Sequence, residues 1–300
     1  MIVITGATGQ IGRQVLARVL APSPPAGPVR VIARDPGRLP AEVRDRVEVI
    51  PGSYGDPAVV DRAFKGADAV FWLLAADGQA ASVDEAFAGF SGPMIEAVRR
   101  ESVGHVVSVG ALGRGTAWAG RAGYITAALA LDDLIAGTGV AFRALAMPSF
   151  MDNVLRQVQA IKAQGTFSGI LSPDLKLPTV ATRDIAAVAA RLLLDLDWTG
   201  PAEIPVLGPE DLSSNDMAAI MSEVLGTPVR YQQIPYQAHK DRLLGFGMSE
   251  GMAQGMVDMG IAKNNGLDQG VTRTEQDAID TPTTFRQWCE DTLKPAVQAA

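Results

Sequence analysis

Short β-branched runs alternate along the first half of the chain with stretches in which apolar residues recur every three to four positions. That pattern belongs to a parallel sheet whose strands are joined by crossover helices. It predicts strands at Met1 to Thr5, Val29 to Ala33, Val47 to Ile50, Ala69 to Leu73 and His105 to Val109. Between the first two, Ile11, Val15, Leu16, Val19 and Leu20 mark one helical face, and the stretch from Ala21 to Gly27 breaks that helix. Asp56-Pro57 opens a helix through Phe64, and Pro93 is expected to begin one carrying Met94, Ile95 and Val98. Two more strands are expected at Val140 to Ala146 and Ile204 to Leu207, with a helix from Ile185 to Leu194 between them.

Beyond about residue 150 the alternation weakens. An amphipathic stretch (Val154, Val158, Ile161) precedes Gly- and Pro-punctuated segments and a Met-rich run. A helix is expected from Asp216 to Val224, ended by Gly226; a short strand from Val229 to Ile234; and a last helix from Thr284 to Leu293. The expected class is α/β. Residues 1–150 form a dinucleotide-type parallel sheet to which segments near 180–210 return, and residues 151–300 form mainly a smaller α+β substrate lobe.

Composition narrows the partners. Of 300 residues, 47% are apolar and 20% charged, ordinary for a globular protein. A net charge of -7 argues against nucleic acid or anionic membrane as a partner, because phosphate polymers repel such a surface. The opening Met1-Ile2-Val3-Ile4 reads as strand rather than secretory leader. The apolar run Ala186 to Leu194 is far short of the ~18 residues a membrane helix needs. A single cysteine, Cys289, fits a reducing cytoplasm and is read as passive. His105 and His239 lack companions at ligand spacing, so no metal is expected. The expectation is a cytoplasmic monomer or homodimer acting on a small molecule.

The strongest local signal is Thr5-Gly6-Ala7-Thr8-Gly9-Gln10-Ile11-Gly12, which leaves the first strand and opens the first helix. Glycines there allow a tight turn and close approach of a pyrophosphate to the helix N-terminus, the fingerprint of a Rossmann doubly wound sheet. Gly6, Thr8, Gly9, Gln10, Ile11 and Gly12 are therefore the candidate cofactor-binding positions. Arg34, just past the second strand, suits a ribose 2′-phosphate, with Arg13 as a helper. NADP(H) is thus preferred. Asp35 follows directly and could face the ribose instead, which keeps NAD(H) open.

With this loop, Arg34, Pro51-Gly52-Ser53-Tyr54, the Ile95 to Val107 stretch, Pro148-Ser149-Phe150-Met151-Asp152-Asn153 and Thr182-Arg183-Asp184-Ile185-Ala186, the chain resembles the NmrA-like group of atypical short-chain dehydrogenases over most of its length. The resemblance implies that Ser53 and Tyr54 lie by the adenine, although an Asp commonly stands at the Ser53 position. It places Leu74, Ala75 and Ala76 along the nucleotide and Val109 and Gly110 near the nicotinamide. Ordinary members of the wider superfamily use Tyr-x-x-x-Lys, the ammonium lowering the tyrosine pKa for proton exchange, with a serine assisting. Here Tyr124, the catalytic candidate, is followed by Ala128, and Gly110-Ala111 stands where the serine would follow strand five.

Pro148, Phe150, Met151 and Asn153 follow a strand end, where doubly wound sheets place pockets. Met248 and Met252, with Met256 and Met259, form a stripe among glycines, either a mobile substrate cover or irregular core filling. The expected function is an NADPH-dependent reductase of a small aromatic, quinone-like or conjugated acceptor. A non-catalytic NADP(H)-binding redox sensor is the alternative, and an isomerase or epimerase a third.

Overall fold

The computed structural model describes residues 1–21 and 27–300; the Pro-rich part of the expected helix break, residues 22–26, lies outside them. The strands are β1 (Ile2–Ile4), β2 (Val29–Ala33), β3 (Glu48–Pro51), β4 (Ala69–Trp72), β5 (His105–Val109), β6 (Ala141–Ala146), β7 (Ser149–Phe150), β8 (Thr166–Gly169), β9 (Leu177–Val180), β10 (Pro201–Pro205), β11 (Asp211–Leu212) and β12 (Arg230–Gln233). Seven of them form one sheet in the order β10-β6-β5-β4-β1-β2-β3, every neighbouring pair parallel. The order reverses at β1, so a crevice opens beyond the carboxyl ends of β1 and β4, where such sheets bind ligands.

The helices are α1 (Gln10–Val19), α2 (Ala41–Arg44), α3 (Pro57–Phe64), α4 (Phe90–Arg100), α5 (Tyr124–Ala136), α6 (Val158–Gln164), α7 (Thr182–Leu194), α8 (Ser214–Leu225), α9 (Tyr236–Gly245) and α10 (Glu250–Asn264). Alternate side chains of each strand point to opposite faces. Ile2, Ile4, Val31, Phe71 and Val107 pack with α1 and α7, whereas Val3, Ile32, Val70 and Val106 pack with α3, α4 and α5. Both faces are buried, which is why these strands read as unbroken apolar runs.

Two boundaries differ from expectation for a physical reason. The strand expected at Ile204 to Leu207 is β10, Pro201–Pro205, at the sheet edge; pairing on one side only lets it carry two prolines. Pro93 does not begin a helix but lies inside α4, and a π-turn over Glu85–Gly89 precedes it. That turn breaks the regular i→i−4 ladder just before the residue that cannot donate to it.

The second lobe has its own core, built from Met151, Phe167, Met221, Phe285, Trp288 and Leu293. It joins the sheet through buried carboxylates. Asp152 accepts from Thr182 N at 2.9 Å, Thr182 Oγ1 at 3.0 Å and Gln10 Nε2 at 2.6 Å, linking the lobe to the starts of α7 and α1. Asp184 accepts from Thr283 N and Oγ1 at 3.0 and 2.9 Å. Asp152→Ala strands those donors and should cost about 2–4 kcal/mol. Urea unfolding measures it; a cost below about 0.5 kcal/mol would show that the tie is dispensable.

Candidate active site

The chain leaves β1 through Gly6, which sits in the left-handed region at φ +64. A Cβ on Gly12 would fall inside van der Waals contact of the Gly6 carbonyl oxygen, so α1 packs directly on the backbone of the loop. Gly9 is the N-cap of α1; no side chain caps it and no acidic residue occupies the first turn. The N–H groups and positive end of the helix therefore remain for an anion. Gln10 and Ile11 can contribute only through their backbone: the Gln10 side chain is tied to Asp152, and Ile11 is in the core. Thr8, in the loop before them, is half-buried.

Arg34 is exposed immediately after β2. The neighbouring Asp35 carboxylate accepts from Gly37 N at 2.9 Å and caps a short turn, Pro36–Arg38. Ser53 Oγ accepts from Gly55 N at 3.2 Å. The Tyr54 ring, expected by the adenine, packs edge-on against Trp72 and Phe90, and its hydroxyl accepts from Ala75 N at 3.2 Å. That bond ties it to the loop after β4.

A cleft of about 470 Å³ opens at the carboxyl ends of β4, β5 and β6. Leu74, Ala75, Ala76, Val109 and Gly110 form its sheet side, and Pro148, Phe150 and Asn153 its lobe side. Met151, expected among these, is wholly buried in the second lobe's core, because the chain turns into a 3-10 helix directly after Phe150. The methionine stripe also divides. Met256 and Met259 line the cleft, Met252 is buried in the core, and Met248 packs beside Gly78. The glycines of α10 are packing notches rather than hinges. Cβ atoms on Gly251, Gly255 and Gly260 would overlap Ala81, Val83 and Ile170 respectively.

Tyr124 faces the cleft with its ring edge-on to Phe87, centroids 4.8 Å apart. Burial pushes its pKa up, and the charge of Arg156 partly offsets this. Among the described residues nothing hydrogen-bonds its hydroxyl, and the position one turn on is the buried Ala128. Lys263 also lines the cleft but is paired with the buried Asp268.

Three charged cleft residues escaped the sequence reading: Asp132, Arg156 and Lys263. For Asp132 a signal existed, since a pair of aspartates interrupts the otherwise apolar run from Ile125 to Ile135. Its carboxyl is buried, Oδ1 accepts from Ser108 Oγ at 2.8 Å, and burial pushes its pKa up to about 7. Elsewhere, Cys289 is wholly buried and its thiol is pushed up to about 12 by desolvation, so it stays inert. Among the described residues no group of three His, Cys, Asp or Glu side chains could hold a metal, and no helix is long and apolar enough to cross a membrane.

Comparison with known proteins agrees with this geometry. A family model described as NAD(P)H-binding matches residues 6–196, and the NmrA-like family model matches residues 138–289. A (4-alkanoyl-5-oxo-2,5-dihydrofuran-3-yl)methyl phosphate reductase from Streptomyces griseus is 31% identical over 96% of each chain. Among solved structures, Citrobacter sp. triphenylmethane reductase complexed with NADP(H) superposes with a TM-score of 0.80 at 21% identity, covering 99% of this chain and 100% of its own. An NADPH-dependent quinone oxidoreductase from Escherichia coli gives 0.78 at 23% identity, covering 100% and 99%. The chain belongs to the NmrA-like family of NAD(P)H-binding proteins and is an NAD(P)H-dependent oxidoreductase.

Proposed function

We propose that the protein reduces a small conjugated electrophile, aromatic, quinone-like or an unsaturated lactone, with NADPH as the donor. The observation that carries this reading is an apolar-walled cleft at the strand ends in which Ala128 and Gly110 stand where lysine and serine would assist a tyrosine. Such a site holds its acceptor without a lysine-activated tyrosine. Hydride addition to a neutral conjugated carbonyl leaves a delocalised anion, and to a cationic dye a neutral product, so either demands less of an acid than a simple ketone does. The relatives' acceptors, a dihydrofuranone, a triphenylmethane and a quinone, share unsaturation. Consumption of NADPH with a naphthoquinone, a triarylmethane dye and an unsaturated lactone tests the reading; no oxidation above background with any of them sinks it.

The residues fit NADPH: an uncapped α1 for the pyrophosphate, Arg34 for the 2′-phosphate, and the strand end at Val109 and Gly110 in the cleft wall for the nicotinamide. Bound there, NADPH supplies the hydride. Because Asp35 is engaged as a turn cap, Arg34 is the side chain at this strand end left to read the ribose. Arg34→Ala should weaken NADPH about 10- to 10²-fold, the value of one charge-assisted bond, and NADH by less than about twofold. Calorimetric titration with both cofactors checks this, and equal losses would remove Arg34 from cofactor selection.

A further inference from the structure

We propose that Asp132 is the proton donor of this reaction, its carboxyl standing beside Gly110 in the space a side chain at that position would fill; the inference rests on the reductase reading above. Asp132 comes off α5 two turns beyond Tyr124 and is among the few carboxylates buried in the fold. Ser108 Oγ, on β5, donates to Oδ1 and fixes the carboxyl plane. The second oxygen, Oδ2, has no hydrogen-bond partner among the described residues. A Cβ on Gly110 would overlap it, so glycine is what lets the carboxyl reach the strand end. Gly110 itself is pinned, its N–H donating to the Leu145 carbonyl at 2.9 Å. Ser108, Gly110, Tyr124 and Asp132 all line the same cleft.

The chemistry needs an acid that is protonated near neutrality, and burial supplies one here by holding Asp132 at about 7. The Ser108 hydrogen bond and the Arg114 charge favour the ionised form, while Glu203 on β10 and Asp133 on α5 oppose it. From β6, the Leu145 carbonyl faces this corner, and Ala144 is paired with Ser108. The step balances. The acceptor gains a hydride at carbon from the reduced cofactor, its electron pair moves to oxygen, and that oxygen takes the proton as the Asp132 O–H bond breaks. NADPH is oxidised by two electrons, the acceptor is reduced by two, and the carboxylate regains a proton from water when the cleft empties.

The active form is protonated Asp132, so turnover should be full below pH 7 and fall above it. Asp132→Asn keeps the shape and the acceptor for Ser108 but has no acid proton. It should lower kcat for a naphthoquinone by ~10²-fold at pH 6 and erase the alkaline limb. Ser108→Ala removes a bond to the ionised form, so it should move the limb to higher pH. Infrared difference spectra of the cofactor-free protein give a readout without turnover: a protonated carboxyl band should vanish near pH 7 and be missing from Asp132→Asn. Retained NADPH affinity certifies that each variant is folded, and Ser108→Ala carries the test if Asp132→Asn is not. Wild-type turnover with an unchanged Asp132→Asn, a limb moving to lower pH in Ser108→Ala, or no titrating band overturns this proposal alone. A wild type that reduces no acceptor overturns the reductase reading and this proposal with it.

Discussion

Gly9→Asp should abolish measurable NADPH binding, a loss of more than ~10²-fold, in a protein that remains folded. The substitution fits the backbone: a Cβ there would lie 3.2 Å from the Gly6 carbonyl oxygen, close but tolerable. Aspartate is also among the best N-caps, so its carboxylate would satisfy the free N–H groups of α1 and suit the helix dipole. Those groups are the ones a pyrophosphate needs. The change therefore replaces the ligand's charge with the protein's own, and stability should hold or rise as affinity disappears. Gly12→Ala makes the contrast, since its Cβ would overlap the Gly6 carbonyl and force loop and helix apart. That variant should lose thermal stability and affinity together. Calorimetric titration beside thermal unfolding separates the two behaviours, and unchanged affinity in Gly9→Asp would remove the phosphate-loop argument.

The sheet was legible because its strands are buried on both faces, which leaves continuous β-branched runs in the sequence. The phosphate loop was legible because its glycines serve a local geometry, within eight residues of chain. What sequence patterning missed depends on contacts between distant residues. The segments around Asp152 and Thr182 stood out, but their hydrogen bonds to each other span 30 positions and the bond to Gln10 spans 142. Glycines of α10 suggested a mobile cover, yet Gly255 is small because Val83 lies against it. Asp132 was hidden for a related reason: an aspartate in an apolar helix can face solvent, like its neighbour Asp133, or the interior, and periodicity alone cannot choose. Met151 and Phe150 show the limit at its sharpest, adjacent residues of which one is sealed in the lobe's core and the other walls the cleft.

Phe150→Ala should slow turnover of a quinone acceptor by ~10²-fold, whereas Tyr124→Phe should cost less than about tenfold. Phe150 is held by the pairing of β7 with β9, opposite Val180, and its ring packs partly on the sheet core and partly on the cleft. Truncation leaves the acceptor a wider slot, and a displacement of about 1 Å can cost ~10² where alignment dominates. Tyr124 is differently placed. Its hydroxyl has neither a lysine one turn away nor a hydrogen-bond partner among the described residues, and burial makes it a weaker acid than free tyrosine. Removing that hydroxyl leaves the ring against Phe87 and therefore the shape of the wall. Both variants must keep NADPH affinity and their unfolding midpoints, so that a lost cofactor is not counted as lost chemistry. Steady-state kinetics in which Tyr124→Phe is inactive while Phe150→Ala stays near wild type would restore the tyrosine as the essential acid and displace alignment as the main contribution.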